Sequence, residues 1–430
     1  MDRVVAAAAA RPADTQTGLR QTRNWALSAG ALASPRTGEA LRVACGFGAD
    51  GLSEAAGVLT DGARDFPVVD GIPYLRLGAV DARLVRIRER AVEHLRAGQE
   101  AAALHLLLTD QDAFAPLPPP SPEAVERVVA QRDTISLREA MRLLSFGPVA
   151  TYFAHRWSSP TYFSGLALLA RVASPTCETV EVACGIGHFL RVLQGANFPA
   201  AGIDLVFAKL WLARHFLGVD APLVCADVEQ GPALRPSQAR AVFCHDAFYF
   251  LRDKASALRH LRGLSSGGTL AVGHVHTARD AHEAGFAEGL DAYDQLRGPN
   301  ATPLLDDGAL ARDYARGRLN GAPEPARADS GAVAWLEGPP HGRATAWPVR
   351  LDRLRVNPAL TGEDAPGEGW WSEYRGDAGD FGSDALDAFA KTPLVRQVVA
   401  RGNAGVPELD DGLARLLHRG RVLLDLPLRW

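Results

Sequence analysis

The chain has 430 residues with a formal net charge of −4; 47% of them are hydrophobic and 22% are charged. This composition predicts a folded protein of two or three domains, and the lack of a basic excess argues against nucleic acid or a membrane surface as the partner. Five cysteines occur, none of them in a C-x-x-C pair. They argue against a disulfide framework and favour a reducing, cytoplasmic compartment.

The first 175 residues divide into three predicted segments. Residues 1–30 are interpreted as a poorly ordered tail, because the apolar run in MDRVVAAAAARP is too short for a signal peptide or a membrane span. Residues 31–78 are turn-rich, and DFPVVDGIPYLRL predicts two short strands around an Asp-Gly turn. Residues 79–175 predict helices, since apolar residues recur at helical spacing and Ser136 with Glu139 forms a capping box.

Strands and helices alternate in the next predicted domain, residues 176–300. Strand-like segments such as TVEVAC, AAGID and ARAVFC are followed by helical segments such as HFLRVLQG and KASALRHLRGL. This alternation predicts an α/β fold, with helices on both faces of a mostly parallel sheet. Residues 301–430 are rich in Gly and Pro, and we predict an extension that shapes the substrate site.

The turn after the first of these strands carries small residues. It reads E-V-A-C-G-I-G from Glu181 to Gly187, so that Ala183, Gly185 and Gly187 leave the backbone open to a ligand. In open parallel sheets, ligands bind beyond the carboxyl ends of the strands. A dinucleotide fingerprint would need Gly or Ala where Leu190 stands, and the Gly-Lys-Ser/Thr of a Walker loop is absent.

This turn resembles the first motif of the class I S-adenosylmethionine-dependent methyltransferases, with Ala183 where that family more often has Gly. Asp204 ends the second strand, Asp227 follows the third, and L-S-S-G-G-T leads into the fifth. The resemblance implies a Rossmann-like sheet, with the ribose hydroxyls on Asp204 and the adenine amine near Asp227. It implies that S-adenosylmethionine is bound by Glu181, Ala183, Gly185, Gly187, Asp204, Asp227, Val228 and His245.

The candidate catalytic residues follow the fourth and fifth strands: they are His245, Tyr249, His274 and His276. Histidine suits removal of a proton from a hydroxyl acceptor, because its ordinary pKa is about 6.5. The alternative is that each residue only lines the cleft, and His245 is also expected along the methionine part of the cofactor. These histidines with Asp246 could bind a metal, but the pattern is loose, so no metal is expected.

Residues 31–78 resemble the small zinc-ribbon domains that activate some tRNA and protein methyltransferases. The resemblance lies in L-A-S-P-R-T-G-E-A-L and F-P-V-V-D-G-I-P-Y-L. Ser34 and Thr37 stand at that family's cysteine positions, and Cys45 is alone. One thiol cannot hold a tetrahedral zinc, so we expect a degenerate domain without zinc.

Together these features predict a cytoplasmic methyltransferase acting on a small molecule, with O-methylation of a sugar or secondary metabolite favoured. C-H-D-A follows the fourth strand in place of the N-P-P-Y signature of amino-group methylases. Two alternatives stay open: a non-catalytic scaffold of the same fold, and a tRNA or protein methyltransferase with a fused activator. No nucleic acid or membrane partner is expected, and a homodimer is left open.

Trp370, Trp371 and Tyr374 form an aromatic cluster that either stacks on substrate or anchors a loop.

Overall fold

The computed structural model describes residues 29–45, 56–78, 81–110, 117–236, 240–279, 285–339, 347–358 and 393–430. Most of the predicted tail and the aromatic cluster Trp370, Trp371 and Tyr374 lie outside the described residues. No helix in the described ranges combines the length and apolar character needed to cross a bilayer.

The chain begins with a small antiparallel sheet, which we call the N-terminal sheet. Its strands, in spatial order, are β1 (Arg42–Cys45), β2 (Gly57–Thr60), β3 (Asp65–Val69) and β4 (Ile72–Pro73). Asp70 and Gly71 join β3 to β4 with φ angles of 53° and 66°. Two left-handed residues form the turn that matches the twist of a tight hairpin, which confirms the predicted strands around the Asp-Gly turn.

Ser34, at a cysteine position of the zinc-ribbon pattern, makes hydrogen bonds in the described structure. Its hydroxyl donates to Asp61 Oδ2 at 2.8 Å and accepts the backbone N–H groups of Arg36 and Thr37 at 3.2 and 3.3 Å. Ser34 is fully buried. A hydrogen-bonded turn therefore stands where the zinc-ribbon family has a metal ligand.

Six helices follow the N-terminal sheet: α1 (Ala82–Arg96), α2 (Glu100–Leu108), α3 (Pro122–Ala130), α4 (Leu137–Leu143), α5 (Pro148–His155) and α6 (Pro160–Val172). Ser136 accepts the N–H of Glu139 at 3.1 Å, which confirms the predicted N-terminal cap of α4. The Glu139 carboxylate binds Arg142. The reciprocal bond of a capping box is therefore replaced by an ion pair within the helix.

The large sheet has seven strands: β5 (Thr179–Val182), β6 (Ala200–Asp204), β7 (Leu223–Cys225), β8 (Ala241–His245), β9 (Leu270–His276), β10 (Leu305–Asp306) and β11 (Ala332–Glu337). Their spatial order is β10-β11-β9-β8-β5-β6-β7. Strands β5 to β9 are parallel, whereas β11 is antiparallel to both β9 and β10. The order reverses between β5 and β8, so a ligand crevice is expected at their carboxyl ends.

Helices cover both faces of this sheet, as predicted: α7 (His188–Gly195), α8 (Phe207–His215), α9 (Lys254–Ser265), α10 (Leu290–Leu296) and α11 (Asp307–Ala315) join the earlier ones. Strand side chains alternate between two apolar clusters. Val242 and Cys244 lie in one cluster and Phe243 in the other. This alternation is expected for a strand that is buried on both faces.

The last described segment forms β12 (Leu354–Val356), α12 (Pro393–Arg401), α13 (Asp411–Arg419) and β13 (Leu423–Asp425). The two strands pair antiparallel. The residues at the end of β13 and after it contact α5 and α7. Trp430 Nε1 donates to the carbonyl of Ala154 at 2.7 Å, and Arg191 pairs with Asp425 at 2.7 Å.

The N-terminal sheet joins the large sheet through main-chain contacts. Tyr74, directly after β4, pairs in parallel with Cys225 of β7. The N–H of Leu75 donates to the Cys225 carbonyl at 2.7 Å, and the N–H of Ala33 donates to the carbonyl of Ala233 at 3.0 Å. The last strand of the small sheet thus continues along the edge of the large one.

Candidate active site

The glycine turn after β5 has a backbone that restricts its sequence. Ala183, Gly185 and Gly187 have φ angles of 58°, 56° and 85°, in the left-handed region that favours glycine. A Cβ on Gly185 would lie 3.0 Å from the Phe153 ring, and one on Gly187 would lie 2.9 Å from Val219. The turn therefore combines backbone conformation and close packing that only small residues allow.

Asp204, at the end of β6, holds this turn in place. Its Oδ2 accepts the N–H of Gly185 at 2.8 Å, and its Oδ1 accepts the N–H of Val206 at 2.9 Å. The carboxylate is buried. Each oxygen can still accept a second hydrogen bond, so the ribose interaction implied by the resemblance is compatible with this position and stays a prediction.

Glu181 lies beneath the turn as a buried carboxyl with one unpaired oxygen. Among the described residues, its Oε2 has no hydrogen-bond partner. Burial raises the pKa of Glu181 well above its usual value, although the charge of Arg156 opposes the shift. An orphaned buried acceptor suits a ligand that brings a donor or a positive charge. The residues present therefore fit S-adenosylmethionine, which carries both.

Asp227 and Val228 follow β7 and form the third part of the predicted cofactor site. The Asp227 carboxylate accepts the N–H of Glu229 at 3.0 Å and the amide of Gln230 at 2.8 Å. Gln230 in turn accepts the N–H of Leu77 at 3.2 Å. The structure thus connects the predicted adenine end to the segment that follows the N-terminal sheet.

An aromatic cover from α5 lies over the glycine turn. The Phe153 ring faces Gly185, and the Phe153 carbonyl accepts a hydrogen bond from His188 Nε2 at 3.0 Å. The ring centroid of His188 lies 4.4 Å from that of Trp157. Burial lowers the pKa of His188 to about 3, helped by the positive charge of Arg156. His188 is therefore a neutral link between the turn and its cover.

The second half of the site lies at the carboxyl ends of β8 and β9. We call Asp246, Tyr249, His274 and His276 the polar cluster. Asp246 Oδ2 accepts hydrogen bonds from Arg156 and from the Tyr152 hydroxyl, both at 2.5 Å. Tyr249 donates to Oδ1 at 3.1 Å. Burial alone would raise the pKa of Asp246, but the charge of Arg156, the neighbouring histidines and the hydrogen bond from Tyr152 together hold that pKa below its usual range.

His274 owes its orientation to an irregularity in β9. The pairing with β11 shifts register between Val333 and Trp335, and His274 has a φ of 45°. Its N–H and its Nδ1 bind the two oxygens of Asp307, at 3.1 and 2.7 Å, and its Nε2 lies 3.9 Å from Asp246 Oδ1. Burial alone would lower the pKa of His274, but these two carboxylates raise it to about 9.

The other two candidate histidines have different surroundings. The His276 ring lies 4.7 Å from that of His274 and 4.5 Å from that of Tyr249, between ring centroids. His245 is buried, and its Nε2 donates to the Thr161 carbonyl at 2.8 Å. Burial lowers the pKa of His245 to about 4. Its ring stays neutral and tightly packed, which favours the cleft-lining role that the sequence left open.

Three residues of this site were missed by sequence reasoning: Tyr152, Arg156 and Asp307. The first two come from the predicted helical segment, and Asp307 is the first residue of α11. None belongs to a motif. The only local signal is L-L-D-D-G-A-L, in which the first Asp is the N-cap of α11 and the second binds His274.

Comparison with known proteins supports the class that the fold and the glycine turn define. Residues 180–272, less than a quarter of the chain, match a family model described as a methyltransferase domain. They include the glycine turn, Asp204, Asp227 and strands β5 to β8. The chain thus contains a methyltransferase domain of class I, an enzyme fold whose cofactor is S-adenosylmethionine. No curated protein matches the sequence.

Solved structures with a similar fold share little sequence with the chain. One is the complex between the Haloferax volcanii Trm112 methyltransferase activator and a methyltransferase (16% identity, 48% of this chain, 99% of that chain, TM-score 0.34). Another is a TehB-like methyltransferase from Corynebacterium glutamicum (14% identity, 44% of this chain, 97% of that chain, TM-score 0.33). A third, from Thermotoga maritima, is described as a possible histamine N-methyltransferase (13% identity, 46% of this chain, 98% of that chain, TM-score 0.31). Likenesses this distant carry no argument about substrate.

Proposed function

We propose that the protein transfers the methyl group of S-adenosylmethionine to a hydroxyl oxygen of a small molecule, such as a sugar or a secondary metabolite. The observation that carries this proposal is the polar cluster. It stands beyond β8 and β9, next to the glycine turn, where an acceptor would meet the cofactor. Its proton-accepting side chains suit a neutral acceptor that must lose a proton.

The chain's residues divide the work between binding and reaction. The glycine turn, Glu181, Asp204, Asp227 and Val228 hold the cofactor, which when bound supplies an activated methyl group on a good leaving group. These residues would place the donor where an acceptor oxygen held by the polar cluster can receive that methyl group. Positioning of the two partners is the main contribution of the protein. The polar cluster orients the acceptor, and its member His276 receives the proton of the acceptor hydroxyl.

The cover over the site supports a small acceptor. Phe153 lies against the glycine turn and Tyr152 binds Asp246, so one helix contacts both halves of the site. Trp430 holds that helix from the other side through the Ala154 carbonyl. We assign residues 79–175 the role of a helical lid and residues 301–430 that of an extension shaping the acceptor pocket. A site whose two halves are both contacted by one helix suits a small molecule better than a macromolecule.

A second proposal concerns residues 31–78, which we interpret as a fused, zinc-free counterpart of the activator domains. It is favoured by the pairing of Tyr74 with Cys225 and by the link from Leu77 through Gln230 to Asp227. Through these contacts the small domain would support the adenine end of the cofactor site without a metal.

The test is methylation with radiolabelled S-adenosylmethionine, using sugars, phenols and hydroxy acids in one arm, and tRNA and proteins in the other. We expect label on a small hydroxyl compound. Label on tRNA or protein would overturn the small-molecule assignment. Calorimetry with S-adenosylhomocysteine tests the cofactor site separately, because a scaffold without that site would bind none.

A further inference from the structure

We propose that the polar cluster binds one divalent transition-metal cation through Asp246, His274 and His276. The proposal rests on the proposed function, because the cation would hold the acceptor oxygen. One ligand atom from each residue lies within 4.8 Å of the others. Two imidazoles and one carboxylate form a set that binds first-row metals and leaves positions open for a substrate. The sequence pattern predicted no metal, whereas the arrangement of these three side chains favours metal binding.

The distances lie within reach of a metal centre. Metal–ligand bonds of about 2.0–2.2 Å place tetrahedral ligand atoms about 3.4 Å apart. His274 Nε2 and Asp246 Oδ1 are 3.9 Å apart, so that pair needs to close by about half an ångström. A ligand atom of His276 already lies within 4.8 Å of those of Asp246 and His274, so a shift of about an ångström would complete the set.

The groups around the cluster orient these ligand atoms toward one another. Asp307 binds His274 Nδ1, which leaves Nε2 directed at Asp246. A carboxylate on the far nitrogen of a histidine is the usual support of a metal-binding imidazole. Arg156 and Tyr152 both bind Oδ2 of Asp246. Oδ1 therefore remains on the side of His274, with Tyr249 as its other neighbour.

The charges around the polar cluster are compatible with a bound cation. Asp246 and Asp307 are both buried, and Arg156 is the buried guanidinium that pairs with Asp246. Two carboxylates and one guanidinium leave one negative charge, and uncompensated charge is unfavourable inside a protein. A cation in the gap between His274 Nε2 and Asp246 Oδ1 would offset that charge.

The cation would deepen the proposed chemistry. A hydroxyl bound to a divalent metal loses its proton more readily than a free one. The acceptor's O–H bond would break with the proton passing to solvent, the oxygen would bond to the methyl carbon, and the bond from carbon to sulfur would break. With nitrogen ligands, zinc, manganese, iron or cobalt is favoured over magnesium or calcium. Acceptors that can bind such a metal, such as vicinal diols or catechols, would be preferred.

Cobalt(II) is a suitable probe, since its visible absorption reports coordination. The chelator-treated full-length protein is titrated with cobalt(II) and followed by absorption and calorimetry. We expect one ion per chain, binding at least tenfold weaker in His276→Ala and Asp246→Asn, and 10–100-fold weaker in Asp307→Asn. His94→Ala, a surface substitution at the end of α1, should bind as the wild type does. Thermal unfolding and S-adenosylhomocysteine binding verify that each variant is folded.

Three results would overturn the metal site: no cobalt binding, equal binding in a folded His276→Ala variant, or methylation that is unaffected by chelator. The first two concern the site itself, and the third concerns its use. Any of them leaves methyl transfer standing if S-adenosylhomocysteine still binds. Conversely, cobalt bound by the cluster in a protein that binds no S-adenosylhomocysteine would remove the proposed function and keep the cation.

Discussion

The two halves of the site are built in different ways. Around the glycine turn, the backbone itself is the binding surface: residues 183, 185 and 187 are left-handed, and Asp204 accepts the N–H of Gly185. Around the polar cluster, side chains meet from four places in the chain, and contacts join Arg156 to Asp246 and His274 to Asp307. The first half can bind a cofactor common to many enzymes, whereas the second can change without disturbing the fold.

The largest expected effect is on the acceptor half, through Arg156→Met. Removing the guanidinium leaves Asp246 as a buried, poorly compensated charge, which costs about 3–5 kcal/mol. Chemical denaturation should show a free energy of unfolding lower by that amount. Arg142→Met, which breaks an exposed pair with Glu139, is the control and should change little.

Adding Asp246→Asn to Arg156→Met sharpens this test. The amide removes the unpaired charge, so the double variant should be more stable than Arg156→Met alone. If the two substitutions are additive instead, Arg156 and Asp246 are not energetically coupled, and the acceptor half is not held together by charge.

The next effect is on the cofactor half, through Gly185→Ala. A left-handed residue with a Cβ costs about 1–2 kcal/mol, and the new methyl would press on Phe153. Calorimetry should show S-adenosylhomocysteine binding at least tenfold more weakly. The control is Gly195→Ala at the end of α7, where an added Cβ meets nothing within 4 Å; equal affinities in the two variants would contradict the dependence on backbone.

His188 allows the link between the turn and its cover to be measured by pH. Its folded pKa of about 3 lies below the ordinary value, so between these values the unfolded state binds more protons. The contribution of neutral His188 to the free energy of unfolding is therefore fully present above about pH 6.5. Below that pH the free energy of unfolding falls by up to about 1.4 kcal/mol per pH unit. Denaturation between pH 7.5 and 4.5 should show a shallower fall for His188→Gln. The slope for His94→Gln should match the wild type, and parallel slopes for all three proteins would show that His188 is not buried neutral.

The smallest effect is expected outside both halves. Tyr74→Phe removes a buried hydrogen bond to Asp110, which keeps its pair with Arg76. We expect a loss of about 1 kcal/mol in stability and unchanged affinity for S-adenosylhomocysteine. If that affinity fell as far as in Gly185→Ala, the N-terminal sheet would belong to the cofactor half.

Sequence reasoning anticipated the small-residue turn after β5 better than the contacts of the polar cluster, for a physical reason. E-V-A-C-G-I-G is local, and each of its small residues meets a backbone requirement of its own turn. Arg156 and Asp246 are 90 positions apart, so their contact depends on how the end of α5 packs against the sheet, and no local pattern encodes it. The register shift at His274 depends on the pairing of β9 with β11. Alternation along β9 alone predicted that His274 and His276 lie on the same face, but it did not predict the irregular backbone at His274.

The pairing of Tyr74 with Cys225 has a consequence for the solubility of shortened proteins. An unpaired strand edge is a template for adding strands from other molecules, and β7 would present one if residues 31–78 were removed. We expect such a truncation to aggregate before its catalysis could be measured, so the role of the small domain is better studied by point substitution.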